Sequence, residues 1–478
     1  MTGQRLAPAG RTIRGADPIG LRGVFLAAIG KDEVVLPRLE IVQRLRPVDL
    51  VAPGDVRLRT SASGRHAMPV PAPYVAAVAE VDGPRCEVAL HLAGLRLAAV
   101  WRDGSVSMTV GDRDVRSRRF ARGSDEAPTR LAISLTGTHL TAWTEESGSW
   151  VARARYDLSD DLDPRDESVL AGLEVETPDT PAHAGGFGQL GLRDVRFVTG
   201  PDGSPLRDGD TLWLTATSAG PGFFDTAHTS VWRLDGLHSA SRLTHCADLF
   251  FRRPDRPGVF GDHATHLVRD DDDWLVATST WGDFEEPATR AGRRTASGLR
   301  VTLAEAGADV DLLRGTHVLD TRELPLPTDG LTSIATWDPH VVRRDGGWLV
   351  GFVSARRFFD FHPVLAGGTS LDDLSLLGAA TDRTATEGTT LVEVDGRLVV
   401  LASDGRDSQR SQRARFPVFD LGMRDVGVLD APYPTNLPWP SLARLDDGWL
   451  MVTFDGRTHG GRLLGYGTHG DLVVMRST

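Results

Sequence analysis

The 478-residue chain is short of several features, and each shortage narrows what the protein can be. It has two cysteines, Cys86 and Cys246, which fall in different predicted domains, so we expect no structural disulfide. The N-terminal 20 residues lack the apolar run of about 7 to 15 residues of a secretory signal. No apolar run elsewhere approaches the ~20 residues of a membrane-spanning helix. We therefore expect a cytoplasmic protein with no membrane partner.

Basic charge is also scarce, and almost all of it is arginine. Lys31 is the only lysine, a bias that is typical of a GC-rich genome. The chain has 53 Lys and Arg against 65 Asp and Glu, which gives a net charge of −12. That charge argues against nucleic acid and anionic membranes as partners. With 40% hydrophobic residues, the chain can bury the cores of two domains, while its oligomeric state stays open.

One phrase occurs five times in the second part of the sequence. Each copy is an extended run, a turn rich in Asp and Gly, and a strand that opens with an apolar anchor. The anchors are Trp213, Trp274, Trp348, Leu398 and Trp449, spaced by 61, 74, 50 and 51 residues. A hairpin unit that recurs at about 40 to 50 residues is typical of propeller blades. A β-sandwich with similar hairpins is the alternative, but it gives no reason for Trp in register. We therefore predict a five-bladed β-propeller over residues 181–478.

The first part of the chain has a different pattern. From "YVAAVAEV" to "WVARARYDL", short apolar strands alternate with tight turns, as in an antiparallel β-sandwich. The strand order resembles concanavalin-like or laminin-G-like jelly rolls. We predict an all-β protein with a β-sandwich over residues 1–180, a linker at 176–188 ("ETPDTPAHAGGFG") and one short helix in "DESVLAGLEV".

Aligning the five copies places acidic residues at one end of successive inner strands. Residues two apart on a strand share a face, and on a blade's innermost strand that face is the central channel. The residues predicted to line one funnel are Asp194, Arg196, Asp262, His266, Asp338 and His340. Glu387 lies one position earlier than the aligned acids, so a β-bulge is needed to aim it inward.

Converging carboxylates favour one class of chemistry. Mutual repulsion and burial raise their pKa values, which is the environment that a catalytic acid requires. Glycoside hydrolysis needs one protonated carboxyl group and one ionised carboxylate, roughly 6.5 to 9.5 Å apart in inverting enzymes. A single acid could equally cap a turn or pair with an arginine, but three in register favour a site. We therefore predict a glycoside hydrolase with a carbohydrate substrate.

The predicted propeller resembles the five-bladed glycoside hydrolases of family 43, with similarity to the fructan-cleaving family 32. The resemblance rests on "DPHVV" and "DGGWLVGF" after Trp337, on "EGTTLVEVDGRLVVLAS", and on "RDVRFV". It implies that Asp194 is the general base, that Asp338 tunes and orients the acid, and that Glu387 is the general acid. The blade that begins "GDHATH" separates Asp194 from Asp338, which leaves Asp262 as an alternative base.

Loops that follow the second strand of each blade supply candidate substrate-binding residues. Trp281 and Trp439, with Phe223, Phe224, Phe358 and Phe359, could stack on sugar rings. Arg356, Arg406 and Arg457 could bind hydroxyls or the carboxylate of an anionic sugar. The two Asp-Gly-Arg sequences could instead form turns bridged by Asp–Arg pairs.

Histidines near the acids leave other functions open. His263, His266 and His340, with Asp262 and Asp338, could hold an axial ion such as calcium, but we expect hydrogen-bonding histidines, with no metal and no cofactor. A uronate polysaccharide lyase would use His266 or His340 as base and arginines to neutralise the uronate. A propeller that binds glycans without cleaving them is the third class.

Overall fold

The computed structural model describes residues 36–122, 127–222, 224–284, 298–357, 359–456 and 470–477. In this part of the chain almost all regular structure is β-strand, so the predicted all-β class is confirmed. Helix α1 (Glu167–Leu170) is four residues long and begins after the N-cap Asp166, inside the sequence predicted to be helical. A single 3-10 turn covers Phe224–Thr226. None of the described helices is long and apolar enough to cross a membrane.

After the first strand, β1 (Leu39–Leu45), the next twelve strands form two six-stranded sheets. They are β2 (Asp49–Thr60), β3 (Gly64–Ala67), β4 (Tyr74–Glu80), β5 (Arg85–Leu92), β6 (Leu95–Arg102), β7 (Ser105–Val110), β8 (Arg113–Val115), β9 (Arg130–Thr136), β10 (His139–Glu146), β11 (Ser149–Asp157), β12 (Glu174–Thr177) and β13 (Ala182–Gln189).

The two sheets enclose one apolar core, because alternate residues along each strand face the opposite sheet. One sheet has the order β11-β10-β9-β4-β13-β2, and the other has β3-β12-β5-β6-β7-β8. Alternate residues such as Val75 and Ala77 of β4 face Val88 and Leu90 of β5 in a shared buried cluster.

Both cysteines, Cys86 and Cys246, are free.

The predicted linker at 176–188 is wrong, because most of it is β12 and β13. Its glycines permit close strand approach instead of flexibility: a Cβ on Gly185 would lie 1.9 Å from the carbonyl oxygen of Asp55 in β2. A Cβ on Gly188 would lie 2.3 Å from the carbonyl oxygen of Asp49. Glycine within a strand often marks such close backbone approach.

The remaining strands form five sheets, here called blades 1 to 5. Blade 1 contains β14 (Leu192–Phe197), β15 (Arg207–Asp208), β16 (Thr211–Ser218), β17 (His228–Asp235), β18 (Arg242–Arg253) and β19 (Arg256–Phe260). Blade 2 contains β20 (His263–Asp270), β21 (Asp273–Ser279), β22 (Val301–Ala306) and β24 (Arg322–Glu323), while β23 (Gly315–Asp320) pairs in parallel with β18. Blade 3 contains β25 (Ala335–Arg344), β26 (Gly347–Arg357), β27 (Asp360–Gly368) and β28 (Leu374–Ala379). Blade 4 contains β29 (Thr386–Val394), β30 (Arg397–Asp404), β31 (Pro417–Phe419) and β32 (Asp425–Val428). Blade 5 contains β33 (Ser441–Leu445), β34 (Gly448–Asp455) and β35 (Asp471–Ser477).

Contacts between first strands close the five blades into a ring. In each blade the first strand pairs with the next long strand, and it also contacts the first strand of the following blade, from β14 through β20, β25 and β29 to β33. Strand β33 in turn contacts β14, which closes the circle. The five sheets thus lie around one axis with their first strands innermost, which is the arrangement of blades in a β-propeller.

Blade 5 is completed by a strand from the other end of the chain. Strand β1 pairs antiparallel with β35 and forms the outer edge of this sheet. The sequence prediction assigned these residues to the sandwich, whereas this pairing puts them in the propeller. A strand that covers an otherwise open edge leaves fewer unpaired backbone groups.

The anchors all occupy the second strand of the hairpin, as predicted. Trp213 and Trp274 are buried, whereas Trp348 and Trp449 are half-buried. Three of these rings have an arginine of the first strand over them: Arg269 over Trp274 at 4.5 Å, Arg343 over Trp348 at 5.2 Å and Arg444 over Trp449 at 5.2 Å.

Candidate active site

Four of the five inner strands carry a bulge at the same point, near the mouth of the channel. The pairing register shifts after Arg193, His263, Trp337 and Glu387. The next residue has a positive φ in each blade, at Asp194, Ala264, Asp338 and Gly388. A bulge of this kind bends the strand and re-aims neighbouring side chains. Gly388 carries this conformation without strain, and it provides the bulge that Glu387 was predicted to need.

The bulges bring three acids into one pocket at one end of the propeller. Asp194 from blade 1, Asp338 from blade 3 and Glu387 from blade 4 all line it. The other lining residues are Arg193, Phe224, His263, Ala264, Trp281, Trp337, Phe359, Phe361, Leu437 and Trp439. Blade 2 contributes Ala264 where blades 1 and 3 have Asp, which leaves room between the two carboxylates.

Asp194 is held by two neighbours in its own blade. The Thr217 hydroxyl donates a hydrogen bond of 2.8 Å to Asp194 Oδ2. An Nη2 atom of Arg193 lies 3.9 Å from Asp194 Oδ1. Thr217 and Arg193 therefore hold the Asp194 carboxyl group in place at the pocket.

Asp338 is almost completely buried, and its surroundings resist ionisation. Burial is the largest cause of a pKa well above the ordinary value, and the charges of Glu387 and Asp194 raise that pKa further. Arg196 and the Gly388 backbone N–H act in the opposite direction. Asp338 Oδ2 has no hydrogen-bond partner among the described residues, which makes it available to a ligand hydroxyl.

Glu387 is the acid whose pKa lies in the physiological range. Burial, followed by the charge of Asp194, raises the pKa of the Glu387 carboxyl to about 7. Trp439 Nε1 donates a hydrogen bond of 3.4 Å to Glu387 Oε1 and opposes that rise. The three carboxyl groups therefore retain a proton near neutral pH, as a general acid requires.

Aromatic rings form one wall of the pocket. Phe224 stacks on Trp281 with ring centroids 4.3 Å apart, and Trp281 meets Trp337 edge-on at 5.5 Å. His263 lies beside them and hydrogen bonds through Nδ1 to the Gly261 carbonyl over 2.9 Å. Burial lowers the pKa of His263 to about 4, so its ring is neutral and polar rather than a cation.

Four residues predicted to line the pocket do not line it: Arg196, Asp262, His266 and His340. Asp262 is fully buried and accepts hydrogen bonds from the Arg253 guanidinium, with 2.8 Å from Nε, and from the Gly282 N–H at 3.0 Å. It supports the turn that follows Trp281 and does not line the pocket. The alternative placement of the base at Asp262 therefore has no geometric basis.

His266 and His340 lie two residues beyond the bulge, deeper along the axis. Their rings stack at 4.1 Å. His266 Nδ1 accepts a hydrogen bond of 3.0 Å from the Val341 N–H, and His340 Nδ1 accepts one of 3.4 Å from the Leu391 N–H. Each imidazole thus ties its blade to the next one, and burial holds the pKa of both well below the ordinary value.

Of the predicted arginines, the two that the structure describes, Arg356 and Arg406, do not line the pocket. Arg356 forms an ion pair with Asp360 and donates to the carbonyl oxygens of Thr381 and Arg383, at 2.9 and 2.8 Å. Arg457, Phe223 and Phe358 lie outside the described residues. Within the described ranges, no group of three or more His, Cys, Asp or Glu residues has a geometry that could hold a metal ion.

Sequence reasoning missed several pocket residues, among them Arg193, Trp337 and Phe361. Arg193 and Trp337 directly precede the bulged Asp194 and Asp338, in the position that Glu387 takes in blade 4. Treating Glu387 as one member of a second aligned ring would have found both residues. Phe361 comes from β27, which the hairpin alignment did not include.

In comparisons with known proteins, the chain is similar to solved structures only. No protein-family model and no curated protein matches the sequence. An inulosucrase from Halalkalicoccus jeotgali bound to kestose aligns at 15% identity and a TM-score of 0.44, over 60% of this chain and 85% of its own. A family 117 glycoside hydrolase from the marine bacterium Zobellia galactanivorans aligns at 11% identity and a TM-score of 0.40, over 60% and 84%. A thermostable family-43 glycoside hydrolase aligns at 14% identity and a TM-score of 0.38, over 60% and 89%. Likeness at this level carries no conclusion about chemistry.

Proposed function

We propose that this protein is a glycoside hydrolase that cleaves an oligo- or polysaccharide with inversion of configuration. One observation carries the proposal: three carboxyl groups from three blades meet in one aromatic pocket, and burial beside Asp194 raises the pKa of Glu387 to about 7. Cleavage of a glycosidic bond requires a protonated carboxyl group near the leaving oxygen and an ionised carboxylate near the attacking water.

The contacts of each acid support a division of roles. Glu387 donates its proton to the leaving oxygen, because a carboxyl pKa of about 7 lets it hold and release a proton near neutral pH. Asp194 takes a proton from water, since Thr217 hydrogen-bonds to its carboxyl group and Arg193 lies beside it. Asp338 repels a second charge on Glu387 and offers Oδ2 to a substrate hydroxyl.

The wall of rings supports a sugar as the ligand. Phe224, Trp281 and Trp439 present apolar faces that can stack on the C–H face of a pyranose or furanose ring. The same rings exclude water, which strengthens every charge interaction in the pocket. The carboxylates and the neutral His263 supply hydrogen-bonding positions for hydroxyls.

A substrate screen tests the proposal. The protein is incubated with a panel of p-nitrophenyl glycosides and of plant and microbial polysaccharides, and the released sugars are identified. On a cleaved substrate, proton NMR during the first minutes should show the anomer opposite to that of the substrate. Retained configuration would rule out inversion. Absorbance near 230 nm from an unsaturated product would identify a lyase, and saturable binding without turnover would identify a binding protein.

A further inference from the structure

Directly beneath the acids, one buried cation lies near the axis of the propeller. Arg196 is on β14, two residues after Asp194, and its side chain is fully buried. The equivalent positions in the other blades hold His266, His340, Thr390 and Ser441. The two buried histidines are uncharged at neutral pH, and the side chains of Thr390 and Ser441 carry no charge. Blade 1 alone therefore places a permanent charge in this ring of five residues.

The guanidinium contacts two other blades and a residue that precedes blade 5. Nη1 donates hydrogen bonds of 2.8 Å to the Thr389 carbonyl and 3.2 Å to the Thr390 hydroxyl in blade 4. Nη2 donates one of 3.1 Å to the backbone carbonyl of Asp338 in blade 3. Its central carbon lies 4.5 Å from the centroid of the Trp439 ring, which precedes blade 5. These contacts hold the charge at a fixed place.

None of these contacts neutralises the charge. The acceptors are two carbonyl oxygens and a hydroxyl, and Arg196 Nε has no hydrogen-bond partner among the described residues. An uncompensated buried cation costs several kcal/mol of stability, so an anion nearby is needed to retain it. Burial lowers the pKa of Arg196 to about 10, whereas Asp338 and Asp194 raise it. The anions that retain Arg196 are thus two of the pocket acids.

The charges around Arg196 balance when the pocket holds one proton. The titratable and charged groups of Arg196 and the surrounding strands include Arg193 and Asp194 of blade 1, His266 of blade 2, Asp338 and His340 of blade 3, and Glu387 of blade 4. With both histidines neutral, two arginines oppose three carboxyl groups. Ionisation of all three would leave one negative charge in excess, which favours a proton on one of them.

We propose that Arg196 is a positioning residue that holds the bulge of blade 3 through the Asp338 carbonyl and favours a negative charge on the Asp338 carboxyl group, near the proposed acid Glu387. This inference rests on the proposed hydrolase function and adds a group that acts through Asp338. When Glu387 holds the proton, it no longer repels the charge of Asp338, and Arg196 then favours the Asp338 carboxylate. Without Arg196, the Asp338 carboxyl group would hold its proton to higher pH, and its negative charge would be lost at the working pH of the pocket.

Kinetics of two variants separate charge from packing. Arg196→Met removes the charge and should move the acidic limb of the kcat/KM profile to higher pH, with about a tenfold loss of rate per unit of displacement below that limb. Arg196→Lys keeps the charge and should restore the limb toward its original pH, even where the overall rate is lower. A residue that only fills space would lower the rate equally at every pH, and that result would overturn the inference.

Arg383→Met is the matched control. Arg383 is also a buried arginine, but it pairs with Asp404 in blade 4 at 2.8 Å and does not line the pocket. Its loss should lower the melting temperature and leave both pH limbs in place. A displaced limb in this variant would show that any buried arginine has the effect, and would overturn the specific role of Arg196.

A titration without substrate distinguishes failure of this inference from failure of the hydrolase proposal. Aspartate side chains are labelled with carboxyl ¹³C, and the Asp338 signal is assigned by its absence in Asp338→Asn. Arg196→Met should move the titration midpoint of that signal to higher pH, whereas Arg196→Lys should not. An unchanged midpoint in Arg196→Met overturns the inference, whether or not any glycoside is cleaved.

Discussion

Trp439 Nε1 donates a hydrogen bond to Glu387 Oε1 over 3.4 Å, so a residue that precedes blade 5 contacts the acid of blade 4. The same indole ring lies over the Arg196 guanidinium at 4.5 Å. Trp439 was predicted from the sequence as a substrate-binding residue, and its position gives it a second contact, with the proposed acid. The hydrogen bond favours the ionised form of Glu387 and limits the rise of its pKa.

We predict that Trp439→Phe moves the alkaline limb of activity to higher pH. Phenylalanine keeps an aromatic face but has no N–H, so the Glu387 pKa rises and the acid stays protonated further into the alkaline range. The pH dependence of kcat on a cleaved glycoside measures this limb. Trp281→Phe is the control, since Trp281 lines the pocket without a described hydrogen bond to Glu387. A limb that moves equally in both variants would contradict the prediction.

Glu387→Gln and Asp194→Asn should differ in how they depend on the leaving group. Loss of the acid should cost about 10² to 10⁴ in kcat on natural glycosides and much less on activated aryl glycosides, which need little protonation. Loss of the base should slow both kinds of substrate alike, because each needs an activated water. Rates of both variants on matched aryl and natural substrates check this. Full activity of Glu387→Gln on a natural glycoside would exclude Glu387 as the acid.

The raised pKa of Glu387 also predicts a cost in stability that can be measured without substrate. An acid whose pKa is raised from 4.5 to about 7 in the folded state binds more protons folded than unfolded over that interval. Stability therefore falls as pH rises from about 4.5 to 7, by roughly 3 kcal/mol for this group alone. Glu387→Gln should raise the melting temperature at pH 8 more than at pH 4.5.

Measuring the melting temperature of Glu387→Gln at both pH values provides one control. Any effect of the substitution that does not depend on the charge of Glu387 acts at both pH values. Glu393→Gln, on the same strand but part of an exposed ion pair with Arg344, should show no such gain at pH 8. Equal melting temperatures of Glu387→Gln and the parent protein at pH 8 would show that the Glu387 carboxyl does not destabilise the fold.

Gly185→Ala should destabilise the sandwich although alanine is small. Its Cβ would lie 1.9 Å from the Asp55 carbonyl oxygen, so β2 and β13 would have to separate. Overpacking of this kind costs about 1 to 3 kcal/mol, which urea unfolding measures. Gly172→Ala is the control, because a Cβ there meets nothing within 4 Å. Equal stability of the two variants would count against close strand approach as the reason for Gly185.

Local sequence patterns determined the all-β class and the repeat. Strand periodicity, Asp-Gly turns and the anchors in register depend on interactions within one hairpin, which about 20 consecutive residues contain. The same alignment placed Asp194, Asp338 and Glu387 at equivalent ends of inner strands, and they line one pocket in the structure. Their catalytic roles stay predictions.

Tertiary structure decided which polar residues face the pocket. Asp262 and Asp338 look alike in the sequence, each near the start of an inner strand, but Asp262 precedes the bulge of blade 2 and turns to Arg253. A displacement of one residue along a strand reverses the direction of a side chain, so an alignment uncertain by one position cannot separate a pocket acid from a buried ion pair. Strands β1 and β35 pair although they lie more than 400 residues apart in the sequence, with Leu39 opposite Ser477. No local pattern encodes such a contact. Closure of the ring and the position of the Arg196 charge beneath the pocket likewise depend on which blades become neighbours, and that is settled only when the whole chain packs.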